Sequence, residues 1–517
     1  MKKILLFLVV LLTLLPLFRT GLFNVHDPTS VVRFFTLKQT LLDGQIPAAW
    51  TNLLNHNYGY PLFLYYAPVF SYLGTLLSFI TPSYIIALKV ALIILALAGG
   101  FGMYKLAGLI PAVAYTLLPY HASTLYVRGS YAELVTMALL PWLLYFWQKL
   151  LTRKNLLSLT LITSLFFLSH NSLPFLFLPA LITWILYFQR HSLKLAALAF
   201  ATSIFMSSWF LLPVFFERSF VKIDVTATAT SLQTHALRLS QLWHSPWGYG
   251  GSSSGVGDGM SFMLGKFQLV LAAFTLLYLL IKKHLSFSSL YFLGIFIIYS
   301  FSTLDLSLPL WDLVPSLQIV QFPWRTLAFA TFGLAALSGA LENIFSKKYR
   351  LCYVLCAMSC LLYFNLKFFK PEVYETYIDS DLLTQEKLDI TARDKIPEYL
   401  PSAMPDFPHR SAPVMPGLTQ TATSISGNLE HPANSPITLP IAYMPQWQLL
   451  LNGQLVGVQA DSSGLVTTIE SYPPGNYQLN LTWHRTTLEN TGLILSLISL
   501  IFMIGYSRGT TPKKHQK

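Results

Sequence analysis

Apolar runs recur along almost the whole chain, separated by short polar segments. Runs near 4–20, 131–148, 156–171, 173–189, 195–216, 263–281, 285–304, 326–345, 351–369 and 488–507 each approach the ~20 residues a helix needs to cross a bilayer. Three more stretches, 62–80, 84–103 and 106–120, lie within 62–120. The pattern predicts a polytopic α-helical membrane protein with about twelve crossings, two of them from 62–120. One stretch there is then broken, re-entrant or fused with its neighbour. The opening run, "MKKILLFLVVLLTLLPLF", resembles a signal peptide. It has no clear small-residue cleavage site, so it reads as an uncleaved first crossing.

Composition agrees. Of 517 residues, 54% are hydrophobic and 11% charged, against about a quarter charged in soluble domains. The net charge of +12 does not point to nucleic acid, because of where the basic residues fall. They cluster between apolar runs, at Lys2/Lys3, Lys149/Arg153/Lys154, Arg190/Lys194, Lys282/Lys283, Lys347/Lys348/Arg350 and Lys513/Lys514/Lys517. Such patches hold loops in the cytoplasm. Both termini are then expected inside, with 21–61, 119–130, 217–262, 305–325 and 370–486 outside. Cys352, Cys356 and Cys360 share one face of an apolar helix and read as small fillers. No internal repeat supports a transporter built from inverted halves.

The pattern changes after 370. The segment is polar and proline-rich to about 436, then alternates as strands do. Asn452-Gly453 is a two-residue hairpin signal, since both central positions take positive φ. "PPGN" marks another turn. The expected organisation is a transmembrane domain over 1–369 with a large first external loop, 21–61. An extracytoplasmic domain follows over 370–487, a small β-sandwich or half-barrel from about 436. A final crossing at 488–507 and a basic cytoplasmic tail at 508–517 complete the chain.

Charges collect in the external segments. In "NVHDPTSVVRFF", Asp27 is a candidate general base or metal ligand, beside His26 and Arg33. Its spacing also reads as a helix cap, with Pro28 at the first helical position, and the two roles are not exclusive. Ser30, Arg33, Phe34, Leu37, Lys38 and Leu41 then form an amphipathic helix suited to the membrane interface. Tyr58, Tyr60, Tyr65 and Tyr66 suit the headgroup level. "PYHASTLYVRGSYAE" brings His121, Arg128 and Glu133 to the same face. Arg128 with Gly129 would suit a phosphate, or Arg128 pairs with Glu133. Arg325, at the outer end of a helix, calls for a lipid phosphate or a carboxylate such as Glu217. "HSPWGYGGSSSGVGDGMSF" reads as a flexible loop or a lid over substrate. His170 reads as a hydrogen-bonded turn residue. No phosphate-binding loop, dinucleotide fingerprint, zinc spacing or Ser/His/Asp signature is present.

The phrases "HDPTSVVRF", "NYGYPLFLYYAP" (57–68), "LPYHASTLYVRGSYAE" (118–133), "WFLLPVFFE" (209–217), "QFPWR" (321–325), "PEYLP" (397–401) and "YMPQWQLLLNGQLV" (443–456), in this order, resemble the GT-C superfamily of integral-membrane glycosyltransferases. More closely, they resemble a bacterial branch labelled 6-pyruvoyl-tetrahydropterin-synthase-related membrane proteins. No pterin chemistry is legible in the residues. The chain departs from the branch's usual phrase at Gln446 and Asn452, both in β-domain turns. The resemblance implies sugar transfer from a polyprenyl-phosphate donor to a cell-envelope glycan, lipid or protein at the outer face of a bacterial cytoplasmic membrane. In that role Asp27 activates the acceptor or holds Mg or Mn, with Glu133 the next candidate acid. Arg128 and Arg325 meet the donor phosphate, and His26, Arg33, His121 and Glu217 line the substrate site. The alternative is a transporter or flippase of lipid-linked glycans, which requires ionisable residues along a path through the helices. Lys89 is the clearest candidate. A non-enzymatic envelope scaffold is a third reading.

Overall fold

The computed structural model describes residues 1–223, 232–339 and 347–508, apart from the side chains at 316, 318, 319, 347 and 348. The tail lysines Lys513, Lys514 and Lys517, and the side chains of Lys347 and Lys348, lie outside that description. The chain is mostly helical, with an antiparallel β region before its last helix. Among the described residues three helices are long and apolar enough to cross a membrane: Tyr84–Ala107, Tyr349–Phe368 and Thr487–Arg508. A fourth is counted if the pair Leu193–Met206 and Ser208–Phe216, bent by 68°, forms one span. Tyr131–Trp147, Leu178–Phe188, Lys266–Ile281 and Phe287–Phe301 are shorter apolar helices.

Several expected continuous runs are broken, and the breaks have local causes. The stretch 62–80 divides into Leu62–Tyr65 and Pro68–Ser78, with Pro68 opening the second helix. The stretch 173–189 divides into Leu173–Leu176 and Leu178–Phe188, each with proline in its first turn. Proline suits a first turn because its missing N–H would have no helical partner there, and it disfavours helix in the residue before it. At the 68° bend, the Ser207 hydroxyl donates to the carbonyls of Ser203 and Ser164. Of the three stretches in 62–120, only the middle one forms a full-length helix.

The strands begin earlier than expected. β1 (Leu22–Phe23) pairs with β2 (Tyr374–Glu375), tying the exit of the first helix to the start of the late polar segment. β3 (Leu418–Gln420), β4 (Ser424–His431), β5 (Ser435–Ala442), β6 (Trp447–Leu451), β7 (Gln454–Val456), β8 (Val458–Ala460), β9 (Leu465–Tyr472) and β10 (Gly475–Trp483) form two sheets, ordered β3-β4-β10-β6-β7 and β5-β9-β8. Ile425, Leu449 and Leu479 of the first sheet share a core with Ile437, Leu439 and Val466 of the second, which makes a sandwich. β4 is easily missed in the sequence because Ile425 and Leu429 alternate with small polar residues rather than with an evident apolar pattern. The Asn452-Gly453 hairpin is present, with Leu451 opposite Gln454 and φ of 50° and 79° at the turn.

The helix Ser30–Leu42 is not a surface helix. Val31 and Phe34 belong to the core of the helical bundle, whereas Val32 and Leu37 belong to the core of the β-sandwich. Amphipathic spacing marks an apolar face without saying whether lipid or protein covers it. The tyrosines expected at headgroup level are likewise drawn inward. Tyr60 donates to the Ile396 carbonyl at 2.5 Å and Tyr65 to the Glu217 carbonyl at 3.0 Å. A buried phenol needs such a partner, which the late polar segment supplies to Tyr60 and the end of the helix Ser208–Phe216 to Tyr65.

Gly74 lets this helix seat. A Cβ there would stand 1.9 Å from the Phe34 ring. Gly74→Val should therefore destabilise the protein by about 1–3 kcal/mol through overpacking, read as a fall in melting temperature of the detergent-solubilised chain.

Candidate functional site

The site is built at the seam between the helices and the sandwich. The first loop is held by its backbone. His26 N–H donates to the Val127 carbonyl and Asp27 N–H to the Arg128 carbonyl, both at 3.0 Å. The segment they touch, Thr124–Arg128, is a single wide π-helical turn that ends on Gly129 at φ 70°. A Cβ on Gly129 would sit 2.6 Å from Val25 Cγ2 and 2.8 Å from the Asp27 carbonyl oxygen. This glycine thus admits the first loop. Such π turns often accompany functional sites.

Asp27 does not cap the next helix as the sequence suggested. The helix starts at Ser30 with Thr29 before it, so Pro28 lies outside the first turn. Asp27 Oδ1 instead accepts the Thr29 hydroxyl at 2.5 Å, and Oδ2 stands 3.7 Å from Arg33 Nη2. Arg33 is 1% exposed. Its Nη2 reaches the Ser30 hydroxyl at 3.2 Å, and its guanidinium lies 4.3 Å over the Tyr66 ring. Its Nε and Nη1 are buried and have no hydrogen-bond partner. A buried guanidinium with idle donors is costly unless something accepts from it.

A second group faces the same seam. Arg128 Nη2 donates to Glu133 Oε2 at 2.7 Å, and its Nη1 to the Tyr120 hydroxyl at 3.1 Å. The Tyr120 hydroxyl donates to Glu133 Oε1. The guanidinium also lies 4.4 Å over the Trp324 ring. Of the two readings weighed for Arg128 and Glu133, the ion pair is therefore present, buried and closed on itself. Arg325 follows in the turn Pro323–Thr326. Its Nη1 donates to the Val320 carbonyl at 2.9 Å, and its Nε is buried without a partner. Arg325 lies within electrostatic reach of Arg128, Glu133, Tyr120 and Tyr66.

The turn Pro397–Tyr399 links the two groups. Glu398 feels the charges of Asp27, Arg325 and Arg33, and Tyr399 those of Arg33 and Arg325. The Tyr399 ring packs against Tyr65 and Tyr66 at 6.5 and 6.2 Å. Neither Glu398 nor Tyr399 stands out in the sequence, although "PEYLP" is legible as a phrase. A carboxylate between prolines gives no periodic signal. His170, near Arg325 and Glu133, accepts the Ser172 N–H at Nδ1, as expected of a turn histidine.

The remaining candidates fall elsewhere or act differently. His26 Nε2 lies 2.8 Å from the Tyr249 carbonyl, in the Gly/Ser-rich loop. That loop crosses itself: Gly250 N–H donates to Gly259 at 2.9 Å, and a Cβ on Gly259 would stand 2.6 Å from Gly250 Cα. Its glycines serve this close approach. His121 bonds the Tyr115 carbonyl and lines a small apolar cavity with Thr13, Leu125 and Leu134. Glu217 does not meet Arg325. It accepts the Thr486 hydroxyl at 2.6 Å, beside the last helix. Asp27 does not suit a divalent cation, since one oxygen is taken by Thr29 and the other faces an arginine. Among the described residues no group of three or more His, Cys, Asp or Glu side chains is placed to hold a metal ion.

Two outcomes follow. Glu133→Ala should cost about 3–5 kcal/mol by leaving Arg128 buried and unpaired. The double variant Arg128→Met/Glu133→Leu should cost less, and thermal melting reads both. Burial, reinforced by Asp27 and opposed by Arg325 and Arg33, raises the Glu398 carboxyl above its ordinary value. The unfolded chain then loses this proton at lower pH than the folded chain. The group's contribution to stability is full below the ordinary carboxylate pKa and lost as pH rises through the raised one. Glu398→Gln should flatten the melting temperature across that window.

No curated protein and no solved structure matches the chain. A family model described as "6-pyruvoyl-tetrahydropterin synthase related domain; membrane protein" matches residues 63–369. The matched region takes in Tyr65, Tyr66, Tyr120, Arg128, Glu133, His170 and Arg325. It spans more than half of the sequence, and the chain belongs to this family of membrane proteins.

Proposed function

We propose that the protein is a membrane glycosyltransferase of the GT-C kind, moving a sugar from a polyprenyl-phosphate donor to a cell-envelope acceptor on the outer face of the membrane. The observation that carries this reading is the pairing of Asp27 with unsatisfied arginine nitrogens. Arg33 Nε and Nη1 and Arg325 Nε are buried donors without acceptors. They lie in a single charged cluster with a carboxylate that is 33% exposed. Guanidinium groups match phosphate oxygens in shape and charge.

In this reading the acceptor hydroxyl gives its proton to Asp27 as its oxygen attacks the anomeric carbon. The bond from that carbon to the phosphate oxygen breaks, and its electron pair leaves with the phosphate. Arg33 and Arg325 stabilise the charge that collects there. Glu133, committed to Arg128 and Tyr120, acts as a positioning residue that keeps Arg128 charged and still. The shorter apolar helices, together with Lys2–Leu14, Arg153–Phe167 and Leu327–Leu337, would complete a bundle of about twelve crossings, with the β-sandwich beside the acceptor. The transporter reading draws less support. Lys89 sits near the start of its helix and donates to the Arg19 carbonyl at 2.6 Å, rather than lining a path at mid-membrane.

The test uses purified protein in lipid, radiolabelled polyprenyl-phosphate sugars and an envelope extract. Asp27→Asn should lower transfer by about 10²–10⁴-fold, the usual worth of a general base, with the melting temperature retained. Arg33→Ala should weaken use of the donor. Equal transfer by wild type and a folded Asp27→Asn would remove Asp27 from the chemistry.

A further inference from the structure

Helices that meet the seam and the sandwich at one end carry a basic patch at the other. Tyr131–Trp147 holds Glu133 in its first turn and leads out to Lys149. Its 17 residues set the two ends about 25 Å apart. The bent pair has Lys194 in its first turn and finishes at Glu217. Thr487–Arg508 starts where Glu489 accepts from Gln446 of the sandwich and finishes at Arg508. Arg153 and Lys154 open Arg153–Phe167, which packs against all three.

The patch is held still. Gln189 Nε2 donates to the Trp147 and Lys149 carbonyls at 2.5 and 2.8 Å, which joins the turn carrying Arg190 to the turn carrying Lys149. Asn155 closes the second of these turns, accepting the Thr152 N–H at 2.8 Å and donating to the Leu150 carbonyl at 2.9 Å. The cations rest on rings. Lys149 lies 4.2 Å over Tyr145, Arg153 4.9 Å over Tyr506 and Arg190 5.4 Å over Tyr187. Tyr187 stacks on Phe287 at 3.5 Å, which brings up Lys282 and Lys283 from the preceding turn.

The protein itself does not neutralise this charge. The sequence has no Asp or Glu in 134–216, 259–304 or 490–517. Among the described residues, none of these cations forms an ion pair. Arg190 Nε donates to His191 at 3.0 Å, whereas the Arg153 guanidinium meets only the Tyr506 ring. A ring face attracts the cation without taking up its N–H donors. Next to the cations, the same helices expose Leu150, Leu186, Leu193 and Ile501. A partner for this surface needs negative charge at one level and hydrocarbon beside it. An anionic phospholipid has both, whereas a nucleic acid or a free phosphate has only the first.

We propose that this patch seats the headgroup of an anionic phospholipid, with Lys149, Arg153 and Arg190 around the phosphate and the acyl chains along the exposed helix faces. Bound there, the lipid ties together the helix ends opposite the seam. The inference does not rest on the assignment of the seam to sugar transfer.

The test uses the full-length protein in nanodiscs of phosphatidylcholine alone or mixed with phosphatidylglycerol. Phosphatidylglycerol should raise the melting temperature by roughly 3 °C, since a ligand that binds only the folded state stabilises it. The rise should fade in high salt, and soluble glycerol phosphate should give none. Native mass spectrometry of the detergent-extracted protein should show phosphatidylglycerol retained in preference to phosphatidylcholine. Arg153→Gln and Arg190→Gln should each weaken that preference by about fivefold, the usual worth of one cation at an anionic surface. Lys387→Gln, in the late polar segment, should leave it unchanged. Equal melting and equal retention with the two lipids in the wild type would overturn the seat, and that comparison needs no variant to fold. So would an undiminished preference in the Arg153→Gln/Arg190→Gln double variant. An equal rise with glycerol phosphate would assign the patch to a free phosphate instead.

Discussion

The arrangement depends on one helix being apolar on two sides. Ser30–Leu42 gives Val31 and Phe34 to the bundle and Val32 and Leu37 to the sandwich. Each fully buried side chain of this kind stabilises by about 1.5–3 kcal/mol, enough together to hold the buried charge of Arg33 between the two cores. Without the sandwich, one face of this helix and the Arg33 guanidinium would meet water. Without the bundle, the loop carrying Asp27 would lose its backbone partners at Val127 and Arg128.

Much of this was legible. The hairpin at Asn452-Gly453 follows from local backbone preference. The Arg128–Glu133 pair follows from five residues of spacing across a glycine. The cluster of charges on one face follows from their confinement to segments between apolar runs. What stayed hidden was set by distant contacts. An amphipathic pattern cannot tell a headgroup layer from a β-sandwich, so by sequence alone the first-loop helix reads as interfacial. Apolar runs give length but not breaks, so prolines at 68, 174 and 179 shortened helices that the hydropathy joined. Glu398 joined the cluster from about 370 residues away, with no periodicity to announce it. Position in the sequence pairs Glu217 with Arg325, both at helix ends, yet its carboxylate accepts from Thr486.

At the seam, orphaned donors outnumber orphaned acceptors, which suits an anion. There the unmet hydrogen-bonding capacity of buried groups, more than any motif, marks what is missing.

The tryptophans at the top of the seam carry a further consequence. Trp50 of the first loop packs on Trp447 of β6 and Trp483 of β10, with centroids 5.0–5.6 Å apart among the three. Trp50 is therefore made some 400 residues before its partners, a delay of tens of seconds at ordinary rates of synthesis. Throughout that interval the early loop stands beside the growing bundle with its apolar side uncovered. The contact of Trp50 with the sandwich therefore forms only once the final strands have emerged, late in the making of this chain.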